Sequence, residues 1–306
     1  MLKNDVESYL QSLRVANLSQ NTIKTYKHAL EKLMQFVGPE TDVREIDVSV
    51  IRTLVHRLAA NGMSPSSRNH ALRVFKAFGK YLLDEGIVEE NIFALQPHTK
   101  VPVRLIQPPS VETMNTLLDG DIPTNWPARD RAELELLYDT GVRVQEAAGI
   151  TLSDLRSDGT ILIHGKGGKD RLVPLGEPLR KALDAYLPER QEVLRRRKQK
   201  SEALFFRCNS PSSRNRRMFS NRILDALDVR SVRRTLIAVC QAKGLPPMHP
   251  HMLRHACATH MLDNGAPLTV IRALLGHAKL STTAQYAFVS TGLMQKAYNS
   301  AHPSAA

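Results

Sequence analysis

The chain has 306 residues, 42% of them hydrophobic and 24% charged, a globular composition long enough for two domains with their own cores. No run of about 18 apolar residues occurs, and the opening MLKNDVESYLQSLRV lacks the apolar stretch and cleavage site of an export signal, so neither a membrane span nor secretion is expected. The net charge of +12 is uneven: residues 1–97 carry 12 Lys/Arg against 11 Asp/Glu, residues 98–306 carry 30 against 19.

A basic half of this kind is the usual footprint of a polyanion partner, although many soluble proteins are basic. Cys208, Cys240 and Cys257 are too few and too far apart for a disulfide framework or a zinc ribbon, and they suit a reducing cytoplasm.

In chain order, the first hundred residues read as four amphipathic helices. A short helix carries Val6, Tyr9, Leu10 and Leu13. In LSQNTIKTYKHALEKLMQFVG the apolar residues Ile23, Tyr26, Leu30, Leu33 and Phe36 fall three or four apart; Ser19 or Asn21 can cap the start, and Gly38-Pro39 stops it. A third helix runs through Ile51, Leu54, Val55 and Leu58. A fourth, opened by Ser64-Pro65, carries Leu72, Phe75, Phe78 and Leu82. Short turns between such helices predict a small bundle over residues 1–96. Its polar faces carry two basic stripes, Lys24, Lys27 and His28 on the second helix, and Arg68, Asn69, Arg73, Lys76 and Lys80 on the fourth. Without context such stripes are more often solvated surface than ligand contacts.

QPHTKVPVRLIQPP has four prolines and no period, which predicts an extended linker over 97–109. A second domain over 110–306 then opens with helices at Val111–Leu118 and Pro127–Asp139. One hairpin follows, TILIHG and RLVPL around the turn KGGKD, and the pattern is helical afterwards. The fold class is therefore mainly α with one small hairpin. The basic segments 194–200 and 209–221 read as solvated helix ends or loops.

Four separated pieces of the second domain carry unusual chemistry. Arg143 follows Thr140-Gly141 at the turn into an apolar helix, with Glu146 one turn on as its plain structural partner. Lys166 lies in the glycine-rich turn HGKGGKD, where a long amine can swing over a bound group. In MHPHMLRHACATHML, His251 and Arg254 are three apart and share a helix face. His251 and His255 also have the spacing of a metalloprotease helix, but Met252 stands where the carboxylate belongs, so no metal is expected. The last piece, LLGHAKLSTTAQY, holds His277 and Tyr286.

Two arginines, a lysine, two histidines and a tyrosine, without paired carboxylates, suit phosphodiester chemistry. Guanidiniums clamp non-bridging oxygens and neutralise the charge of a pentacoordinate transition state. A tyrosine oxygen can attack phosphorus and store the bond, and a lysine can protonate the leaving oxygen. The arginines then do the electrostatic work that a metal would otherwise do, so no cofactor is called for.

The ordered string Arg143, Lys166, His251-x-x-Arg254, His277, Tyr286 resembles the signature of the tyrosine recombinases, the phage integrase family, and most resembles the Xer-type branch. TGVRVQEAAGITLSDL, GKGGKDRLVPLG, HPHMLRHACATHMLDNGA and LLGHAKLSTTAQYAFV carry the match, and LSQNTIKTYKHALEKL resembles the family's N-terminal domain. The resemblance covers nearly the whole chain. It implies a SAM-like core-binding domain followed by a catalytic domain. Tyr286 would be the nucleophile of a 3′-phosphotyrosyl link, Arg143 and Arg254 would hold the scissile phosphate, and Lys166 would be the general acid. His251 would be base or hydrogen-bond partner, His277 would hold a phosphate oxygen, and Glu146 would support the site. It implies strand exchange without ATP on double-stranded DNA with a roughly palindromic core site. The assembly would be a tetramer, of one chain or with a paralogue, with activation by a DNA translocase as a further family trait. In that setting Lys24, Lys27, Arg68, Arg73 and Lys76 become DNA contacts, and the segment after Tyr286 becomes a subunit-docking tail.

Phe288 and Cys257 depart from residues common in Xer-type sequences, where packing differences are expected, and the stretch 207–229 is longer than the compact pattern. Chromosome-dimer resolution is the preferred role, with mobile-element recombination the alternative. A non-catalytic DNA-binding regulator and a type IB topoisomerase-like nickase are the rival readings, the first leaving the six residues without a reason.

Overall fold

The computed structural model describes residues 1–101, 107–165, 168–206, 227 and 229–276. Its two units are Met1–Arg104 and Leu105–Ala306.

The first unit is built on helices α1 (Leu2–Val15), α2 (Gln20–Val37), α3 (Val48–Ala60) and α4 (Pro65–Asp84). Each of the last three starts where a short polar side chain satisfies an orphan amide. Ser19 accepts from the Thr22 N–H at 3.2 Å, Asp47 from Val50 at 2.9 Å, and Ser64 from Ser67 at 3.2 Å with Pro65 in the first turn. The apolar stripes meet in one core, in which Leu30, Leu33, Ile51, Leu72, Phe75 and Phe78 lose all exposure. Phe93, from the 3-10 turn Ile92–Leu95, packs its ring 6.1 Å from that of Phe78.

The unit extends past residue 96. The Asn69 side chain on α4 donates to the Thr99 carbonyl at 2.7 Å and accepts the Thr99 N–H at 2.8 Å, pairing with the chain as a neighbouring strand would. The beginning of the proline-rich stretch is thereby tied to α4.

The second unit holds α5 (Val111–Leu118), α6 (Pro127–Asp139), α7 (Val144–Ala148), α8 (Glu177–Arg197), α9 (Val229–Ala242), α10 (Pro250–Asp263) and α11 (Leu268–Leu275). Strands β1 (Thr160–Ile163) and β2 (Arg171–Pro174) form an antiparallel hairpin, with Thr160 opposite Pro174 and Ile163 opposite Arg171. Ile161, Ile163 and Val173 put their fully buried side chains into the core, the alternation expected of a half-buried pair.

Helix α6 is the axis of this unit, packed by α8, α10, α5 and α9. It is buried nearly all round, so its polar residues need internal partners. Arg129 pairs with Asp130 and stacks over the Trp126 ring, whose N–H donates to Glu189 at 2.8 Å. Glu133 has little to answer it, and burial pushes its carboxyl up to about 8. The basic run at 194–197 is the last turn of α8, with Leu194 buried and Arg195 and Arg196 paired with Glu192; residues 209–221 lie outside the described residues.

Candidate active site

Helix α6 ends at Asp139, and the chain turns at Gly141, whose φ of +58° lies in the left-handed region. A Cβ there would sit 2.6 Å from Leu275 Cδ2 and 3.1 Å from Cys257 Sγ, so only glycine lets α10 and α11 come this close. Arg143 follows as the cap position of α7. Its N–H donates to Glu146 Oε2 at 3.0 Å, and its guanidinium meets Glu146 Oε1 at 2.8 Å while remaining 38% exposed. The plain structural partner and the projecting guanidinium thus coexist.

Glu146 serves two cations. Arg171, the first residue of β2, places NH2 2.8 Å from Glu146 Oε2 and donates through Nε to the Leu274 carbonyl at 2.8 Å. Burial pushes the Glu146 carboxyl up, but hydrogen bonds from Arg171 and the Arg143 backbone outweigh it and the net shift is down. Glu146 is therefore a fixed anion that orients Arg143 and joins α7 to the hairpin through Arg171, which in turn reaches α11. Arg171 escaped the sequence reading.

Helix α10 starts at Pro250, which suits a first turn, and carries His251 in that turn and Arg254 in the next. Arg254 is buried, with NH1 donating to the Gly141 carbonyl and NH2 to the Leu275 carbonyl at 2.8 Å. One guanidinium therefore ties α10 to the turn two residues before Arg143 and to the end of α11 two residues before His277 in the chain. Burial lowers the pKa of His251, and the positive fields of His249, Arg254 and Arg143 lower it further. His251 is thus held neutral near both arginines, able to accept a proton or a hydrogen bond.

His260 belongs to a different task. Its Nε2 faces the Pro109 carbonyl at 3.0 Å, an acceptor only, so that nitrogen carries the proton and Nδ1 accepts from the Tyr138 hydroxyl at 2.9 Å. Among the described residues, no three His, Cys, Asp or Glu side chains converge as a metal site. Cys257 is buried beside Gly141 with its thiol pKa pushed up to about 12 by burial, a packing residue. Lys166, His277 and Tyr286 lie outside the described residues.

On the first unit, Lys24 and Arg73 are exposed, Lys76 is half-buried, and Lys27 has Glu31 at 4.0 Å. Arg68 is half-buried, with its guanidinium turned back to the Met63 carbonyl at the start of its own helix.

The profile of the phage integrase family matches residues 108–291, well over half of the chain. The chain belongs to that family. The N-terminal SAM-like domain of phage integrases matches residues 6–86. Tyrosine recombinase XerC of Listeria monocytogenes serovar 1/2a is 34% identical over 310 residues, covering 99% of this chain and 98% of that one. XerC of Bacillus subtilis strain 168 is 33% identical, at 99% and 98% coverage, and XerD of Oceanobacillus iheyensis is 31% identical over the full length of both. In fold the integrase resembles a lambda integrase dimer bound to a COC′ core site, with a TM-score of 0.73 and 19% identity over 94% of this chain and 77% of that one. It also resembles XerH bound to a palindromic difH substrate in a post-cleavage complex, with a TM-score of 0.73 and 21% identity over 97% and 84%. The protein is a site-specific tyrosine recombinase, an enzyme that cleaves and rejoins DNA.

Proposed function

We propose that Tyr286 attacks the scissile phosphate while Arg143, Arg254 and His277 hold its oxygens, and that this recombinase resolves chromosome dimers. In the cleavage step the Tyr286 oxygen bonds to phosphorus and its proton leaves to a base, for which neutral His251 is suited. The bond from phosphorus to the 5′ oxygen breaks, and the Lys166 ammonium gives that oxygen its proton. The reverse sequence with another strand's 5′-hydroxyl rejoins the DNA, one phosphoester replacing another, so ATP is not required. Glu146 orients Arg143, and no metal is called for because the guanidiniums neutralise the developing charge.

The observation that carries this reading is the Arg254 guanidinium. Through the carbonyls of Gly141 and Leu275 it supports a convergence of the segments bearing Arg143, Arg254 and His277. The full-length similarity to XerC and XerD supports the dimer-resolution role over mobile-element recombination. The same reading takes as partners a roughly palindromic duplex site, a tetramer of this chain or with a paralogue, and a DNA translocase, and places the protein in the cytoplasm. The domains act as a core-binding unit over 1–96, a linker over 97–109 whose first residues are tied to that unit through Thr99, and a catalytic unit over 110–306. Lys24, Lys27, Arg73 and Lys76 serve as backbone contacts of the first unit, with Arg68 contributing whatever its tie to Met63 leaves free.

The test uses wild type and Tyr286→Phe on a nicked suicide substrate carrying a site selected by binding, in EDTA. Wild type should leave an SDS-resistant, protease-sensitive adduct, and the variant should bind equally and leave none. Tight binding by wild type with no adduct would sink the catalytic assignment and favour a DNA-binding regulator.

A further inference from the structure

The hairpin that carries Lys166 is closed by an ionic staple that the reaction scheme leaves without a role. His164 directly follows β1. Its Nδ1 lies 3.0 Å from Asp170 Oδ2, just before β2, and its Nε2 lies 3.0 Å from Asp154 Oδ1. Asp154 ends the 3-10 turn Leu152–Asp154 and is itself fixed, its other oxygen accepting from the Thr151 N–H at 2.8 Å and the Thr151 hydroxyl at 2.7 Å. Both neighbours of the imidazole are carboxylates, which accept and do not donate. The two contacts are both hydrogen bonds only when both ring nitrogens carry protons, that is, when the ring is an imidazolium. The two shoulders also approach closely in their backbone: a Cβ on Gly165 would run into the Lys169 carbonyl oxygen.

We propose that His164 is a positioning residue for Lys166, its imidazolium pinning both shoulders of the turn and anchoring them to the body of the domain, so that the lysine is held ready to protonate the leaving 5′ oxygen. This rests on the reading of Lys166 as general acid. A hairpin left unpinned spreads the lysine over more positions, and proton delivery slows while phosphate binding and tyrosine attack continue. The hydrogen bonds to Asp170 and Asp154 raise the His164 pKa above its ordinary value. The staple is then complete below about 6.5 and is lost as pH rises through the higher folded value. Asp154 from the 3-10 turn and Asp170 from the far shoulder are the charged groups that face the ring.

The experiment compares single-turnover cleavage of two suicide substrates, one with the natural 5′ oxygen and one with sulfur in its place. A thiolate leaves without a proton, so the sulfur substrate bypasses the general acid. His164→Ala should cleave the oxygen substrate roughly 10- to 100-fold more slowly, a fraction of what a general acid contributes, and cleave the sulfur substrate within about twofold of wild type. His164→Arg, which keeps a charge facing the two carboxylates, should recover most of the oxygen rate. In wild type the oxygen-to-sulfur rate ratio should fall as pH rises above about 6.5 through the raised His164 value, and in His164→Arg that fall should move to higher pH.

Equal losses on both substrates would show a merely structural role, and an unchanged oxygen rate would show none. If His164→Ala does not fold, an identical pH inflection in wild type and His164→Arg overturns the proposal. Failure of wild type on both substrates would instead overturn the underlying cleavage reading.

Discussion

Gly141 is the residue on which the arrangement of the arginines turns. Its left-handed φ costs an L side chain about 1–2 kcal/mol, and the contacts with Leu275 and Cys257 leave no room for one. Gly141→Ala should therefore destabilise the protein by about 2–5 kcal/mol, strain and overpacking together, read as a lower urea midpoint. Because the Gly141 carbonyl is an acceptor of Arg254, adduct formation should fall further than the unfolded fraction explains. A variant with wild-type adduct yield and unchanged midpoint would mean that this turn relaxes without cost. The family was legible in the sequence because the types and order of its signature residues are specific; of those residues the described ones are Arg143, His251 and Arg254, and Lys166, His277 and Tyr286 lie outside the described residues. Arg171 was not legible, because its partners, Glu146 and the Leu274 carbonyl, lie 25 and 103 residues away and no local pattern announces them.

At the level of elements, local chemistry explains what could be read in advance. Ser110 caps α5 and Pro127 opens α6, so those bounds followed from neighbours in the chain. What could not be read are elements finished by distant groups. The C-terminal end of α5 is one: Lys243, at the end of α9, donates to the carbonyls of Thr116 at 3.1 Å, Leu117 at 3.0 Å and Asp119, and Arg131 takes those of Leu118 and Gly120. Two cations thus stand where the helix leaves unpaired carbonyls and the negative end of its dipole. Lys243→Met should cost about 1–2 kcal/mol of stability by chemical denaturation, since the ammonium is only half-buried. An unchanged midpoint would mean that water satisfies those carbonyls equally well. His260, the last histidine of MHPHMLRHACATHML, illustrates the same limit: in space it serves Pro109 and Tyr138, 151 and 122 residues away.

Across the whole molecule, each unit has its own apolar core, and the charge excess lies in the second. A unit with a complete core folds alone, so a fragment of residues 1–101 should show a cooperative thermal transition. A broad, non-cooperative melt would mean that it depends on the rest of the chain. The Asn69 tie to Thr99 bears on how recombinases of this kind are recombined by design. A chimera that exchanges the first unit at residue 96 would part Asn69 from the backbone it pairs with, leaving two polar groups to water and a longer, looser join. A junction placed between residues 100 and 108 would carry each unit's anchor, Asn69 with Thr99 on one side and His260 with Pro109 on the other, intact into the hybrid.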